Sequence, residues 1–312
     1  MVEQRTPTAP GGAPAPHDDT LLATKLRLPR QRPGAVPRSR LVHRLTEATA
    51  RELTLVCAPA GSGKTTLVAD WARAARRPVA WLSLDEGDND VVRFWRYLAA
   101  ALDQLHGGIQ GRLAGLLTGP PPFHPDAVTA TVIDTLAGLP EVAVLVVDDY
   151  HLIDAPAVHG SLTRLLELLP LQLRVVLVSR AEPSLPLGRW RARGQLAELR
   201  MADLTFRADE AAVLLGEVAG AAPGDRAVDV LTRRTEGWAA GLQLAGLSLR
   251  DHPDPDRFVE TFSGSHRHVL DYLAEEVLAR QPDEVVRFLL ETSVLDQVCG
   301  PLAEAVTGRG DS

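Results

Sequence analysis

Lysine is nearly missing from this chain: Lys25 and Lys64 are the only two, in a sequence with 33 basic residues in all. Cysteine is as scarce. Cys57 and Cys299 lie far apart, and the first falls inside an apolar run, so the pair makes neither a disulfide framework nor a metal site. Aromatic residues make up 4% of the chain. There is no N-terminal signal pattern and no apolar run approaching the roughly 18 residues of a spanning helix. The expectation is a soluble, cytoplasmic chain with no membrane partner. A net charge of −7 argues against a general nucleic-acid binder, although it leaves room for a local basic patch. No internal repeat is evident. The abundance of alanine and arginine beside so little lysine fits a high-GC coding sequence.

What is present begins with length and apolar content. At 312 residues and 45% hydrophobic, the chain suits one large or two ordinary domains with a sizeable core. Its organising stretch is residues 52–66, ELTLVCAPAGSGKTT. Leu53–Cys57 reads as a short buried strand. It breaks into Ala58-Pro59-Ala60-Gly61-Ser62-Gly63-Lys64-Thr65, and an alanine-rich helical pattern follows at once. This is the pattern of a phosphate-binding loop, with alanine where glycine usually opens the motif. Gly61 and Gly63 let the backbone turn successive N–H groups toward one anion, and the new helix adds its positive dipole end. Ala60, Gly61, Ser62, Gly63, Lys64, Thr65 and Thr66 are therefore the candidate phosphate residues. Lys64 would reach the β- and γ-phosphates, and the Thr65 hydroxyl would ligand Mg²⁺. The pattern points to binding of a nucleoside triphosphate or diphosphate.

Residues 1–20 are rich in Pro, Gly, Ala and Thr and read as a disordered tail. Residues 21–44 are basic and broken by prolines. They read either as an arginine-rich linker or as an extended segment beside the nucleotide, with Val36, Pro37 and Arg38 against the base. A helix over 65–76, a strand over 79–84 ending in an acidic turn, and an aromatic-bearing helix around residues 94–102 follow. Residues 107–125 read as a loop, and 127–137 as a helix.

A second chemical signal lies in residues 142–149, VAVLVVDD. Six unbroken apolar residues mark a strand buried on both faces, with two carboxylates at its C-terminal end, where open α/β sheets bind ligands. Asp148 suits Mg²⁺ held through water, and Asp149 suits orienting or deprotonating the attacking water. Taken alone, the pair could equally cap the next helix. The strand at 173–179 ends in Arg180, which would either sense the γ-phosphate or pair with Asp148 or Asp149. Arg189, Arg191 and Arg193 alternate along what reads as an extended segment before a fifth strand at 196–199. From about residue 205 the pattern is helical throughout.

These motifs in this order resemble the nucleotide-binding region of the large MalT-like LuxR-family regulators, a group of signal-transduction ATPases with numerous domains (STAND). The resemblance runs from Leu21 to the end and is carried by TKLRLPR with VPRSRLVHRL, APAGSGKTTLVADWA, WLSLDEGDND, VVDDYHLID, SRAEPSLPLGRWRARGQLAEL, TEGWAAGLQLAGLSL and DYLAEEVL. It implies that Asp148 and Asp149 are the Walker B pair, that Arg180 is a sensor arginine, and that the strand ending at Arg180 lies between those of Lys64 and Asp148. It also implies a helical lid over ATP or ADP, in which Gly237 allows a close backbone approach and Trp238 packs the joint. His268 in that lid would donate to the β-phosphate, or else is an exposed helix residue. Slow hydrolysis would reset a switch whose ATP form self-associates. The family's sensor repeats and helix-turn-helix domain do not follow within this sequence, so no direct DNA binding is expected of the chain. The expected architecture is α/β: a P-loop NTPase parallel sheet of about five strands flanked by helices over 21–204, then an all-helical lid and a partial winged-helix-like region over 205–312. An AAA-like motor, a stand-alone P-loop NTPase or a plain kinase would share the phosphate loop. No acceptor pocket or ring arginine finger is identifiable in the sequence.

Overall fold

A computed structural model describes residues 21–31, 34–118, 123–250, 252, 255–262, 267–295 and 297–308. The expected tail over 1–20 lies outside the described residues. Five strands form one parallel sheet: β1 (Leu53–Cys57), β2 (Val79–Ser83), β3 (Ala143–Asp148), β4 (Leu173–Ser179) and β5 (Leu196–Arg200). Their order is β2-β3-β4-β1-β5, with β4 in the centre and Arg180 at its C-terminal end. The strand carrying Arg180 thus lies between those that lead to Lys64 and to Asp148, as the resemblance implies.

Alternation along the strands divides the core. Leu53, Leu55, Leu145, Val147, Val175 and Leu177 face one apolar layer, while Val56, Val144, Val146, Val176 and Val178 face the other. The second layer is closed by α1 (Ser39–Ala48) and α2 (Lys64–Ala74). The first is closed by α3 (Val91–Leu102), α4 (Ile109–Thr118), α5 (Pro125–Leu136) and α6 (Pro156–Glu167). Three tryptophans of the sheet domain sit where their N–H has a partner: Trp71 donates to the Thr46 hydroxyl, Trp81 to Ser83 and Trp95 to Ser161. Beyond α7 (Leu187–Ala192), β5 and the short α8 (Met201–Leu204), the chain is helical. α9 (Ala208–Ala219), α10 (Asp225–Arg234), α11 (Ala239–Arg250), α12 (Pro255–Thr261) and α13 (Arg267–Glu276) surround a third apolar cluster, and α14 (Asp283–Thr292) and α15 (Gly300–Thr307) follow.

Three expectations are corrected. The segment expected to stay extended to residue 44 turns helical at Ser39, two residues after the last proline, because Leu41 and Leu45 form a buried i,i+4 stripe. The expected loop at 107–125 contains α4, whose Ile109, Leu113 and Leu117 are buried. The N–H groups of Ile109 and Gln110 are capped by the Asp103 carboxylate at 2.7 and 3.3 Å, a cap too distant in sequence to read as one. The alternating arginines lie in or at the end of helix α7, not on one edge of a strand: Arg189 pairs with Glu167, and Arg191 with Glu198 at 2.8 Å.

Lys25, the other lysine, is also buried. It pairs with Asp88 and, at 3.1 Å, with Asp85, and its ammonium sits 4.1 Å from the centre of the Tyr97 ring. Arg93 holds the same two carboxylates at 3.2 Å. The acidic turn after β2 is thereby consumed in holding residues 21–28 to the sheet's edge. Asn89 in that turn donates to Leu152 O and accepts from the N–H groups of Asp154 and Ala155, which ties it to the loop after β3.

Candidate functional site

The loop between β1 and α2 turns on two left-handed glycines, Gly61 at φ 69° and Gly63 at φ 82°. At Gly61 a side chain is excluded twice over. An added Cβ would lie 2.6 Å from the Ala240 methyl and 2.6 Å from the Tyr272 hydroxyl. The Ser62 hydroxyl is buried and braces the loop by donating to Pro59 O at 2.9 Å. The Lys64 ammonium is held back on the same carbonyl at 2.9 Å and reaches the Ser62 oxygen at 3.4 Å. Burial, and then the nearby charge of Arg180, hold Lys64 below the usual lysine range.

Thr65 lies in the first turn of α2 with its hydroxyl 3.2 Å from a carboxylate oxygen of Asp148, across from β1 to β3. Asp148 is buried and accepts the N–H of Asp149 at 2.9 Å, and among the described residues no lysine or arginine comes within ion-pair distance of it. Burial, with the Asp149 charge second, pushes its carboxyl up to about 7. Asp149 itself takes the left-handed conformation at φ 57°. The next residue anchors it: Tyr150 is fully buried and its hydroxyl meets His159 Nδ1 at 2.8 Å. His151 Nδ1 lies 3.9 Å from the Asp149 carboxylate. Among the described residues no group of three or more His, Cys, Asp or Glu forms a metal cage. A buried carboxylate without a protein cation, facing a threonine hydroxyl, fits Mg²⁺ that takes its other ligands from water and phosphate. Thr65 and Asp148 would hold that ion, which when bound neutralises phosphate charge.

One cavity of about 570 Å³ unites the elements. Ala60, Gly61, Gly63, Lys64, Thr65, Thr66, Asp149 and Arg180 line one end, and Val36, Arg38, Val42, Phe206, Leu214 and Leu244 the other. Asp148 and Ser62 lie behind this wall rather than in it. Arg38 is buried. It donates to Leu204 O at 2.7 Å and Thr205 O at 3.0 Å, meets Glu210 at 3.3 Å, and stacks 4.0 Å from the Phe206 ring centre. Its polar contacts therefore tie the N-terminal segment to the start of the helical half. Arg180 makes no ion pair with Asp148 or Asp149. Its partner is Glu276, at the end of α13, at 3.2 Å. His268 is exposed, two turns before Glu276 on the same helix, and does not line the cavity.

The helical half grips the phosphate loop through backbone carbonyls. Trp238 Nε1 donates to Ala60 O at 3.0 Å, and the N–H of Ala240 donates to Gly61 O at 2.9 Å. The Trp238 ring meets Tyr272 edge-on at 5.5 Å. Gly237, at φ 68°, approaches a different backbone: Phe206 N–H donates to its carbonyl at 2.9 Å, and a Cβ there would lie 2.6 Å from Phe206 O. Phe206, Tyr272 and Glu276 are among the cavity residues that sequence reasoning missed, as are Val42, Leu214 and Leu244, which carry no mark beyond ordinary apolar patterning. Tyr272 and Glu276 sit four apart in DYLAEEVL, and this i,i+4 spacing on one helix face is the signal that could have found them.

A parallel sheet of this order, with a phosphate loop after β1 and two acidic residues at the C-terminal end of β3, defines a P-loop NTPase. Residues 47–183 match the AAA domain family and residues 274–312 the MalT winged helix domain family. This is a MalT-like P-loop NTPase region: the chain is 34% identical over 295 residues to the HTH-type transcriptional regulator MalT of Cronobacter sakazakii, across 93% of this chain and 32% of that protein. It is likewise 34% identical over 301 residues to the serine/threonine-protein kinase PknK of Mycobacterium tuberculosis, across 96% of this chain and 27% of that protein. The chain thus spans about a third or less of the length of these curated relatives. The Walker-type ATPase paby2304 of Pyrococcus abyssi shares the fold, with a TM-score of 0.53 at 14% identity, covering 88% of this chain and 84% of that one. Among the described residues, no helix is long and apolar enough to cross a membrane.

Proposed function

We propose that this chain is an ATP/ADP-binding switch module of a STAND-class regulator, with slow hydrolysis that resets it. The observation that carries this reading is the pair of hydrogen bonds from Trp238 and Ala240 to the phosphate loop, which puts the helical half over the same cavity as Lys64 and Arg180. A change in the phosphates is thereby coupled to the position of a whole helical layer. The printed names of the two relatives support it too. One is a kinase and the other an HTH-type regulator, and a region common to both is more economically a control module than either effector.

In this reading Lys64 contacts the β- and γ-phosphates, Thr65 and Asp148 hold Mg²⁺, and Asp149 orients the attacking water. Val36 and the aliphatic part of Arg38 border the base, and His268 reaches the β-phosphate only after α13 rotates. The ATP form self-associates, and residues 205–312 act as the lid. The test is the nucleotide retained by the purified chain, identified by mass spectrometry after denaturation. ADP is expected from the native chain and none from Lys64→Ala, which loses a charge-assisted contact worth about 1.5–3 kcal/mol, or roughly ten- to a hundredfold in affinity. Equal retention by both chains, or fast multiple-turnover hydrolysis, would sink the switch reading.

A further inference from the structure

Arg180 stands at the C-terminal end of the central strand, between the strand of Lys64 and that of Asp148. A cation in that place, in the wall of the same cavity, faces where the outermost phosphate of a triphosphate must lie once Gly61–Thr65 hold the inner ones. Its guanidinium is nevertheless already engaged by an anion of the chain itself. One nitrogen meets the Glu276 carboxylate at 3.2 Å, and another lies 3.5 Å from the Glu276 carbonyl. Both residues line the cavity and both are only partly exposed, at 27% and 35%.

The seat of Glu276 is fixed from elsewhere. Tyr272, one turn earlier on α13, packs against Trp238 and against the bare Cα of Gly61. The lid's bonds to the phosphate loop use loop carbonyls, Ala60 O and Gly61 O, not the N–H groups that would cradle phosphate. The closed chain therefore keeps its inner phosphate cradle while placing a carboxylate at the outer cation. We propose that the Glu276 carboxylate competes with the γ-phosphate for Arg180, and that Glu276 is the residue setting a preference for nucleoside diphosphate over triphosphate. This rests on the nucleotide reading above. A triphosphate can claim Arg180 only by displacing Glu276, and with it the end of α13.

Calorimetry on the full, nucleotide-stripped chain, with ADP and with ATP in the presence of Mg²⁺, tests the proposal. The native chain is expected to favour ADP. Glu276→Gln, which keeps shape and removes charge, should shift the ATP-to-ADP affinity ratio toward ATP by about tenfold, or about 1.4 kcal/mol. Glu276→Asp should retain the native preference, separating charge from packing. In an Arg180→Gln background, substitution at 276 should no longer move the ratio, since the two act through one contact. Circular dichroism melts establish that each variant is folded. A folded Glu276→Gln chain with an unchanged ratio, or one whose shift persists without Arg180, overturns the proposal and leaves the nucleotide reading intact. Failure of the native chain to bind either nucleotide would overturn both.

Discussion

Asp148 shows how much a single residue is held out of its ordinary state. Its carboxyl is pushed up to about 7 in the folded chain, well above the usual carboxylate value of about 4, because it is buried and Asp149 adds a second negative charge. A folded value raised above the unfolded one means that ionisation opposes folding. The penalty is absent below about pH 4, grows across the interval, and is complete above about pH 7, with an upper size of about 4 kcal/mol. Asp148→Asn cannot ionise. In chelator-treated, nucleotide-free protein it should raise the thermal midpoint at pH 8 and lose that advantage as pH falls toward 4. An equal shift at both pH values would show that the substitution acts through something other than charge. Lys64 is displaced in the complementary direction, by burial and by Arg180, so both groups sit in settings that a phosphate and a divalent cation would relieve.

At the scale of elements, the neighbours Gly237 and Trp238 make contacts whose removal has separable effects, the first within the helical half and the second between it and the phosphate loop. Gly237→Ala places a Cβ 2.6 Å from a backbone oxygen at a positive φ, neither of which a side-chain adjustment can relieve. It should cost at least about 2 kcal/mol, read as a lowered urea midpoint. Trp238→Phe keeps the ring against Tyr272 and removes only the N–H to Ala60 O. At about 1 kcal/mol for such a bond, it should speed release of a fluorescent ADP roughly fivefold in stopped flow while leaving the fold intact. All five strands were legible in the sequence to within a residue or two, since each is a short apolar run bounded by turn residues. The phosphate loop and its carboxylates were legible because their spacing is local. What was not legible depends on distance along the chain. The helix α4 is capped from Asp103, α1 is disguised by the prolines before it, and the partner of Arg180 comes from Glu276, whose only mark in sequence is its spacing from Tyr272.

Taken whole, the described part of the molecule devotes many of its arginines to internal ties. Arg38 and Arg40 clasp Glu210 and the carbonyls of residues 203–205, Arg200 holds Glu198 and Glu182, and Arg93 closes the acidic turn. With a net charge of −7, this spending of positive charge leads to the expectation that the chain binds no specific duplex DNA at physiological salt. A sequence-dependent mobility shift that survives raised salt would contradict it.

The two lysines, described above as an anchor at the sheet edge and a phosphate contact, also make the chain its own footprinting substrate. A protease that cuts only after lysine has two targets in the sequence, and both are buried, Lys25 at 7% and Lys64 at 8% exposure. The first is reached when the N-terminal segment peels from the acidic turn, the second when the phosphate loop and the helical half come apart. Brief digestion therefore yields 26–312 from the first cut and 65–312 from the second, and their proportions report two different openings of the native chain in one gel lane. Slower cutting after Lys64 with ADP present, at an unchanged rate after Lys25, would measure how tightly the helical half is held without any label having been added.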